Sequence, residues 1–388
     1  MIKRIVILGS TGSIGRSTLE VISKDRKNFN VVLITANNNY KKLIKQAKKF
    51  KAKNVLIKNQ SHYRKVKDSL KNFSTKVYTG DIPLKKIISK KVDFTMTAIV
   101  GIAGLQPTLE AVRFSKTLAL ANKESIICGW SLISKQAKKF KTKIVPVDSE
   151  HFSIMELTKN VKDEDIEEII ITASGGPFLK TTRKKLKIIK PREAINHPKW
   201  QMGKKISVDS STMMNKILEL IEAFKLFAFD EKKYEIIIHP QSYVHSIVRF
   251  RNGLIKMLLY NTDMKIPISN ILYEHKNHFQ NVKNINIKTF NDLTFYKVNK
   301  NKFPSIKLIS KCLNGGLLTS TIINASNEVL VNMFLSKKIS FLDIVKNINK
   351  ILRDKDFKKY ARRKPKTIKD IKMADNWARL KTVSMCVR

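Results

Sequence analysis

The stretch "KRIVILGSTGSIGRSTLEVIS", residues 3–23, begins with a short apolar run and continues through three glycines into an amphipathic pattern. The apolar run predicts a buried strand, and the spacing of apolar residues after the glycines predicts a helix. Gly9, Gly12 and Gly15 therefore lie in a strand-to-helix turn, where backbone amides and the positive helix end can hold a phosphate. Their spacing is not GxGxxG, so a simple tight helix start remains an alternative.

The alternation of strand and helix continues to about residue 147 through the strands "NVVLIT", "NVLI", "DFTMTAIV", "TLALA" and "KIVPV". Repeated βα units predict an α/β fold whose N-terminal part is a doubly wound, Rossmann-like parallel sheet. We assign residues 1–147 to a cofactor-binding domain, 148–285 to a central α+β catalytic domain, 286–304 to a linker and 305–388 to a C-terminal helical domain.

The net charge is unusual, because 76 Lys and Arg residues accompany only 31 Asp and Glu residues, giving +45 over 388 residues. Lysine is spread along the whole chain and seldom alternates with aromatic residues. This pattern favours a solvated basic surface over a specific nucleic-acid face, although a nucleic-acid-binding protein remains an alternative.

The chain has three cysteines, too few and too widely spaced for a disulfide framework or a zinc knuckle. The sequence shows neither a signal-peptide pattern nor an apolar run of membrane-spanning length. We therefore expect a cytoplasmic protein that does not engage a membrane.

The second predicted strand ends in "TANNNYKK", residues 35–42, without the acidic residue that binds the ribose hydroxyls of NAD. The amides of this segment, with Lys41 and Lys42 nearby, would tolerate a ribose 2′-phosphate that a carboxylate would repel. The sequence therefore favours NADP over NAD.

The segment "IVPVDSEHFS", residues 144–153, places two carboxylates close together in a lysine-rich chain. If the segment is extended, Asp148 and Glu150 point to the same side, because strand side chains alternate. A hard divalent cation would relieve the repulsion between them. A solvated acidic loop is the alternative.

The segment "DSSTMMNKILELIEAF", residues 209–224, predicts a helix with a Ser or Asp cap near 209–212. On that helix Asn215 and Glu219 are four residues apart, and Lys216 and Glu219 are three apart. Either Lys216 and Glu219 form an ordinary surface ion pair, or Glu219 is a third metal ligand with phosphate-binding neighbours.

Two further segments indicate binding loops. "ITASGGPF" ends a strand with Ser174 and two glycines, which offer hydroxyl and amide donors to an anion or form only a turn. "NHPKWQMGKK" places His197, Trp200 and Met202 in a loop where large apolar side chains could close over a ligand. For His197 a purely structural hydrogen bond is the alternative.

Taken together, "GSTGSIG", "ALANKES", "PVDSEH", "TASGGPF", "HPKWQMGKKISVDSSTMMNKILE" and "HPQSYVHS" resemble the 1-deoxy-D-xylulose 5-phosphate reductoisomerase family of the non-mevalonate isoprenoid route. The blocks occur in order along nearly all of the chain. The resemblance implies rearrangement of a phosphorylated ketose and its reduction by NADPH to a branched polyol phosphate, 2-C-methyl-D-erythritol 4-phosphate. It also implies a homodimer.

The resemblance implies a metal site for Mg²⁺ or Mn²⁺, with Co²⁺ as a further alternative, whose ligands are Asp148, Glu150 and Glu219. It places the substrate phosphate on Ser174, Ser210, Asn215 and Lys216, and the hydroxyl end of the substrate on Lys123 and Ser149. His197, Trp200 and Met202 would belong to a flexible lid. The implied cofactor-binding residues are Thr11, Gly12, Ser13, Ile14, Asn122, Glu124 and Gly203.

One feature departs from the family pattern. Family members often have Gly, then Lys or Arg, then Asn after the second strand, whereas this chain has Asn37, Asn38 and Asn39. A neutral amide would then replace a cation beside the ribose 2′-phosphate, with Lys41 or Lys42 as the compensating charge. We expect NADPH to be the cofactor nonetheless.

A rival hypothesis is an NADP-dependent enzyme of the semialdehyde dehydrogenase type, which needs a nucleophilic cysteine. Cys128 is the only cysteine near the cofactor-domain motifs, and its apolar surroundings favour an inert core thiol.

Overall fold

A computed structural model of the chain describes residues 2–200, 203–274 and 285–386. Within these ranges the strands are β1 Lys3–Leu8, β2 Phe29–Ala36, β3 Asn54–Ile57, β4 Lys76–Thr79, β5 Val92–Thr97, β6 Ser115–Leu120, β7 Lys143–Pro146, β8 Ile166–Ala173, β9 Tyr234–Ile238, β10 Val244–Phe250, β11 Ile255–Leu259 and β12 Tyr296–Lys297.

The helices of the same ranges are α1 Ser13–Ser23, α2 Tyr40–Phe50, α3 Tyr63–Ser69, α4 Leu105–Phe114, α5 Lys123–Phe140, α6 Ser149–Leu157, α7 Arg183–Leu186, α8 Pro191–Ala194, α9 Lys204–Ser211, α10 Met214–Leu226, α11 Lys265–Tyr273, α12 Leu308–Asn314, α13 Thr319–Leu335, α14 Asp343–Ile351, α15 Phe357–Ala361 and α16 Ile368–Cys386. No helix in the described ranges is both long enough and apolar enough to cross a bilayer.

The chain forms two compact units. The first contains Met1–Ser125, Gly129–Phe152 and Asp263–Lys283, and the second contains Ile126–Cys128, Ser153–Thr262 and Asn284–Arg388. We retain the predicted boundaries at residues 147, 285 and 304 as a proposal about domain organisation.

The first unit is built on a parallel seven-stranded sheet of order β4-β3-β2-β1-β5-β6-β7. Its central strand β1 is a continuous apolar run, and Ile5, Val6, Ile7 and Leu8 are all buried. Such a run is typical of a parallel strand that is covered on both faces. The strand order reverses between β1 and β5, and ligands of doubly wound sheets bind at the carboxyl ends of the strands there. The predicted fold class is confirmed.

The second unit contains a mixed five-stranded sheet of order β11-β10-β8-β9-β12, in which β8 and β9 are parallel and the other pairs antiparallel. The segment "HSIVRFRNGLIKMLLY", residues 245–260, lies in the β10–β11 hairpin, which turns at Gly253 with a φ of 85°. Ile154, Ile171, Met213 and Leu220 belong to the core that packs with this sheet. Helices α13, α14 and α16 pack together and confirm the predicted helical region at the C-terminus.

The glycine turn between β1 and α1 is closed by backbone contacts. Gly9 has a φ of 86°, and its N–H donates to Thr35 Oγ1 at 2.9 Å. The Gly12 N–H donates to the Gly9 carbonyl at 3.1 Å. A Cβ at Gly15 would lie 2.4 Å from the Gly9 oxygen, whereas a Cβ at Gly12 would lie 3.4 Å from it. Helix α1 can therefore approach β1 this closely only with glycine at position 15.

This geometry predicts different costs for two alanine substitutions. Gly15→Ala forces backbone atoms apart and should lower the free energy of unfolding by about 1–3 kcal/mol. Gly12→Ala is the matched control, because the added methyl has room, and it should cost less than about 1 kcal/mol. Urea denaturation followed by circular dichroism measures both, and equal losses would contradict the close-packing explanation.

Candidate active site

The first candidate element is the glycine turn in the first unit, which holds Thr11, Gly12, Ser13 and Ile14 between β1 and α1. Gly12 is the N-cap residue of α1, and no described side chain caps this helix. The first-turn N–H groups are thus available to an anion at the positive end of the helix dipole. The close-packed glycines and the available amides fit a dinucleotide pyrophosphate.

The asparagine segment follows β2, beside the glycine turn. Asn39 is the N-cap residue of α2, and its Oδ1 accepts the Lys42 N–H at 3.2 Å. Asn37 contributes its carbonyl oxygen to a bond from the Asn59 N–H at 3.1 Å. Asn39 thus has a structural task at the helix start, whereas Asn38 has an exposed side chain in the position after the second strand.

Asn122 is the N-cap residue of α5, and its Oδ1 accepts the Ser125 N–H at 2.5 Å. Its amide group donates to the carbonyl oxygens of Ile99 and of Gly101, the latter at 2.9 Å. Asn122 thereby ties the loop after β5 to the start of α5, where Lys123 and the buried Glu124 follow. This loop lies at the carboxyl end of the sheet, as the predicted cofactor site requires.

The acidic segment is helical rather than extended. The argument that an extended strand would point Asp148 and Glu150 to the same side therefore does not hold. Helix α6 begins at Ser149, and the Asp148 carbonyl accepts the Phe152 N–H at 2.8 Å. The Glu150 N–H lies 3.4 Å from Asp148 Oδ1, and the Ser149 hydroxyl donates to the Glu150 carboxylate. Both carboxylates therefore stand at the positive end of a helix, where negative charge is favoured.

Asp148 has two cationic or ionisable neighbours in the first unit. The Lys123 ammonium lies 3.3 Å from Oδ2, and His151 Nδ1 lies 3.6 Å from Oδ1. Burial alone would raise the pKa of the Asp148 carboxyl, but Lys123 and then His151 outweigh it and hold that pKa well below its usual range. Asp148 is therefore a carboxylate at neutral pH, and Lys123 is held beside it.

In the second unit the predicted helix over 209–224 is two helices. Asp209, Ser210 and Ser211 end α9, and α10 begins at Met214. Met213 is the N-cap residue of α10, with a left-handed φ of 62° and no side-chain cap among the described residues. The predicted Ser or Asp cap is therefore wrong. Asp209 is instead buried, accepting Asn327 Nδ2 at 2.7 Å and pairing with Lys205 Nζ at 3.1 Å.

The polar face of α10 has the predicted spacing. Lys216 and Glu219 form an ion pair three residues apart, and the Asn215 amide donates to the same carboxylate. Lys216 is only 4% exposed and Glu219 only 2%. The surface-pair alternative is therefore excluded, because surface pairs lie in solvent and contribute little.

Ser174 and His197 form a second polar pair in this unit. His197 Nδ1 accepts the N–H groups of Lys199 and Trp200 at 3.2 and 3.0 Å, so this nitrogen carries no proton. The proton of the neutral ring is then on Nε2, which lies 2.8 Å from Ser174 Oγ and donates to it. The Gly176 N–H also donates to Ser174 Oγ, at 3.1 Å. With its oxygen accepting two bonds, the Ser174 hydroxyl can donate its own proton to an anion.

The predicted lid begins after this pair. The Trp200 ring meets His245 edge to face at 6.0 Å, and His245 stacks on Tyr260 at 4.0 Å. Met202 lies outside the described residues. Gly203 is the exposed N-cap residue of α9, and Ser210 lies near the other end of that helix.

Residue patterns alone did not assign a role to His151, Asp209 or Glu222, all of which are buried. Two of them could have been found by helical spacing, since His151 follows Asp148 by three residues and Glu222 follows Glu219 by three. His151 was missed because the segment was treated as extended. Asp209 was missed because it was interpreted as a cap.

A Rossmann-like sheet with a glycine turn suited to an anion, joined in one chain to a unit with a buried lysine–carboxylate pair and a half-buried serine–histidine pair, is typical of a dinucleotide-dependent enzyme with an anionic substrate. Family models specify the class further. Those of 1-deoxy-D-xylulose 5-phosphate reductoisomerase, its C-terminal domain and the DXP reductoisomerase C-terminal domain match residues 5–130, 144–227 and 259–381. The chain belongs to the 1-deoxy-D-xylulose 5-phosphate reductoisomerase family, which confirms the resemblance seen in the sequence.

Individual relatives agree with this assignment. The 1-deoxy-D-xylulose 5-phosphate reductoisomerase of Pelagibacter ubique (strain HTCC1062) is 48% identical, over 99% of this chain and 100% of the relative. The Zymomonas mobilis enzyme, solved in complex with NADPH, is 37% identical with a TM-score of 0.92, covering 100% of this chain and 99% of that one. A DOX-P reductoisomerase solved with NADPH, fosmidomycin and magnesium is 32% identical with a TM-score of 0.93, covering 99% and 98%.

The Ser174–His197 geometry predicts the titration of one imidazole. Burial lowers the pKa of His197 from an ordinary value of 6.5 to about 4. The unfolded chain therefore binds more protons between these two values, and His197 lowers stability progressively as the pH falls from 6.5 to 4. ¹⁵N NMR of the imidazoles should show a neutral ring protonated on Nε2 at pH 6, with its signal identified by its loss in His197→Gln. A His197 signal that titrates with an ordinary pKa would contradict the assignment.

Proposed function

We propose that this chain carries out the family reaction, the rearrangement and reduction of 1-deoxy-D-xylulose 5-phosphate to 2-C-methyl-D-erythritol 4-phosphate, with NADPH and a divalent cation. The observation that carries the proposal is the buried polar face of α10. Charged residues are rarely buried without a purpose, because their desolvation costs several kcal/mol per ion. Lys216 and Glu219 are buried as a pair and share an asparagine neighbour.

We assign the substrate phosphate to Ser174, Ser210, Asn215 and Lys216. The Ser174 oxygen accepts hydrogen bonds from His197 and from the Gly176 N–H. The hydroxyl hydrogen of Ser174 can therefore be donated to an anion. Lys216 provides a full positive charge in a buried place, where an ionic hydrogen bond is stronger than in water. Asn215 supplies amide donors beside it. These four groups together offer hydroxyl, amide and ammonium donors, which suits a phosphate dianion.

We assign the metal to Asp148, Glu150 and Glu219. The donor set fits Mg²⁺, Mn²⁺ or Co²⁺, because carboxylate oxygens are the ligands that hard cations prefer. The charge state of Asp148 supports the fit: burial alone would raise the pKa of its carboxyl, but Lys123 and His151 hold that pKa well below the usual range. A divalent cation bound there supplies Lewis-acid stabilisation of negative charge on substrate oxygens. Ser149 lies between Asp148 and Glu150 in the chain, and the Lys123 ammonium lies 3.3 Å from Asp148 Oδ2. Both would hold the hydroxyl end of the substrate.

We assign NADPH mainly to the first unit, with Thr11, Gly12, Ser13 and Ile14 at the pyrophosphate, Asn37, Asn38 and Asn39 at the adenosine ribose, and Asn122 and Glu124 towards the nicotinamide. Gly203, at the start of α9 in the second unit, is assigned to the cofactor as well. Bound NADPH supplies the hydride for the reduction. The glycine turn holds the pyrophosphate by its amides, and Asn122 fixes the loop that carries Ile99 and Gly101. His197, Trp200 and Met202 would close over the substrate and exclude water from it during the reaction.

We further propose that the chain forms a homodimer. Strand β11 is an edge of the five-stranded sheet, and Leu254, Ile255 and Met257 on and beside it are 58%, 58% and 44% exposed. An exposed apolar edge strand is an aggregation liability that a symmetric partner would cover.

A cytoplasmic location is also part of the proposal, and it agrees with the lack of a disulfide among the described cysteines. A specific nucleic-acid partner is not part of it.

The function is tested by following NADPH oxidation with 1-deoxy-D-xylulose 5-phosphate as substrate. We expect turnover with Mg²⁺ or Mn²⁺, no turnover after EDTA treatment, and recovery when the cation is returned. NADH in place of NADPH should support a lower kcat/KM. Absence of turnover in metal-replete protein that binds NADPH would contradict the proposed reaction.

The same assay separates this reaction from the semialdehyde dehydrogenase alternative. Cys128 is only 4% exposed and belongs to the core. Cys128→Ser should therefore keep most of the turnover, whereas an enzyme that depends on a cysteine nucleophile would lose it entirely.

The metal assignment predicts the behaviour of Glu219→Gln. Loss of one ligand charge should raise the cation concentration for half-maximal activity at least about tenfold. Circular dichroism and the dissociation constant of NADPH check that the fold and the cofactor site persist. Glu231→Gln, at an exposed position of the same unit, is the control and should behave like the parent. Unchanged turnover of Glu219→Gln at limiting Mg²⁺ would remove Glu219 from the ligand set.

A further inference from the structure

The loops that follow β2 and β3 lie side by side. Ala36 and Ile57, the last residues of the two parallel strands, are register partners. The Lys58 N–H donates to the Ala36 carbonyl at 2.9 Å, and the Asn59 N–H donates to the Asn37 carbonyl at 3.1 Å. Asn59 is thus fixed beside the asparagine segment by backbone bonds, although the two loops are distant in sequence.

Side-chain hydrogen bonds in these loops define the orientation of two amides. The backbone N–H of Ser61, which can only donate, gives its hydrogen to Asn59 Oδ1 at 3.0 Å, and the Ser61 hydroxyl donates to the same oxygen at 2.8 Å. The other end of the Asn59 amide must therefore be the NH₂ group. This group donates to Asn38 Oδ1 at 2.9 Å. The NH₂ group of Asn38 is then the polar group that its exposed side chain offers to a ligand.

We propose that Asn59 is a positioning residue for nucleotide specificity, which holds the Asn38 amide so that a donor meets the 2′ substituent of the adenosine ribose. The inference rests on the proposed function, because it presumes a nicotinamide dinucleotide on this sheet. It adds a residue from the loop after the third strand to the group at the adenosine ribose, whose proposed members Asn37, Asn38 and Asn39 follow the second strand.

The orientation matters because a phosphate group only accepts hydrogen bonds at its ionised oxygens. An amide NH₂ attracts it, whereas an amide oxygen in the same place repels it. A ribose 2′-hydroxyl both donates and accepts, so it tolerates either orientation. A fixed donor therefore discriminates in favour of the 2′-phosphate, even though asparagine lacks the charge of a lysine or arginine.

The experiment compares 2′,5′-ADP with 5′-AMP, which differ only in the 2′-phosphate. Isothermal titration calorimetry on the full-length protein gives the ratio of their affinities without any turnover. Asn38→Ala should lower this ratio about tenfold, the range for one hydrogen bond to a charged group. Asn59→Ala should lower it about threefold to tenfold, because the Asn38 amide is then free to turn.

Asn59→Asp provides a second, sharper variant. A carboxylate keeps the acceptor for the Ser61 N–H and hydroxyl, so the turn is preserved, but it cannot donate to Asn38. Asn38 would then donate its NH₂ to Asp and present its oxygen to the ligand, and the ratio should fall further than in Asn59→Ala. The added negative charge is measured separately by making Asn59→Asp in an Asn38→Ala background.

Coupling between the two positions is the decisive result. If Asn59 acts through Asn38, then Asn59→Ala made in an Asn38→Ala background should change the ratio no further. Full additivity of the two substitutions, or an unchanged ratio in both Asn59 variants, would overturn the proposal. A parent protein that binds neither 2′,5′-ADP nor NADPH would instead contradict the proposed function.

Discussion

The polar face of α10 depends on the buried ion pair between Lys216 and Glu219. Each buried ion loses several kcal/mol of hydration, which is offset only when the partner and the remaining hydrogen bonds are held in place. The Asn215 amide supplies one of these bonds from the same turn of α10. The opposite faces of this helix belong to the core through Ile217 and Leu220. These core contacts hold the helix in place, and with it the residues of its polar face.

Burial also distinguishes the charges of the proposed site from the background charge of a chain with a net charge of +45. With so many lysines, almost any carboxylate has one nearby, and proximity alone means little. Lys162 and Glu164 lie 3.2 Å apart with side chains 78% and 73% exposed, so solvent screens the pair and its contribution is small. Lys123 and Asp148, at 13% and 21%, form a pair that solvent screens far less. A lysine–carboxylate pair thus has different consequences in the two places.

The sequence predicted the parallel sheet well, because strand and helix periodicities are local properties of the chain. It also predicted the face of α10, since the spacing of Asn215, Lys216 and Glu219 needs only a helix. It failed where the backbone depends on tertiary packing. Ser149 begins a helix inside a largely apolar segment whose period is ambiguous between strand and helix. The break at Met213 has a positive φ without glycine or asparagine, so no residue pattern indicates it.

Side-chain orientation is a further step that sequence cannot supply, and the asparagine segment shows why it matters. Asn38 carries no charge, which suggests a weak 2′-phosphate site if charge alone determines specificity. Two separate physical contributions are involved. The positive field of many surface lysines attracts any anion over roughly a Debye length of about 8 Å, without regard to its shape. A hydrogen-bond donor of fixed direction adds discrimination between phosphate and hydroxyl. Because the lysines of this chain already attract the anionic ligand, a neutral amide held by Asn59 can add the discrimination between phosphate and hydroxyl.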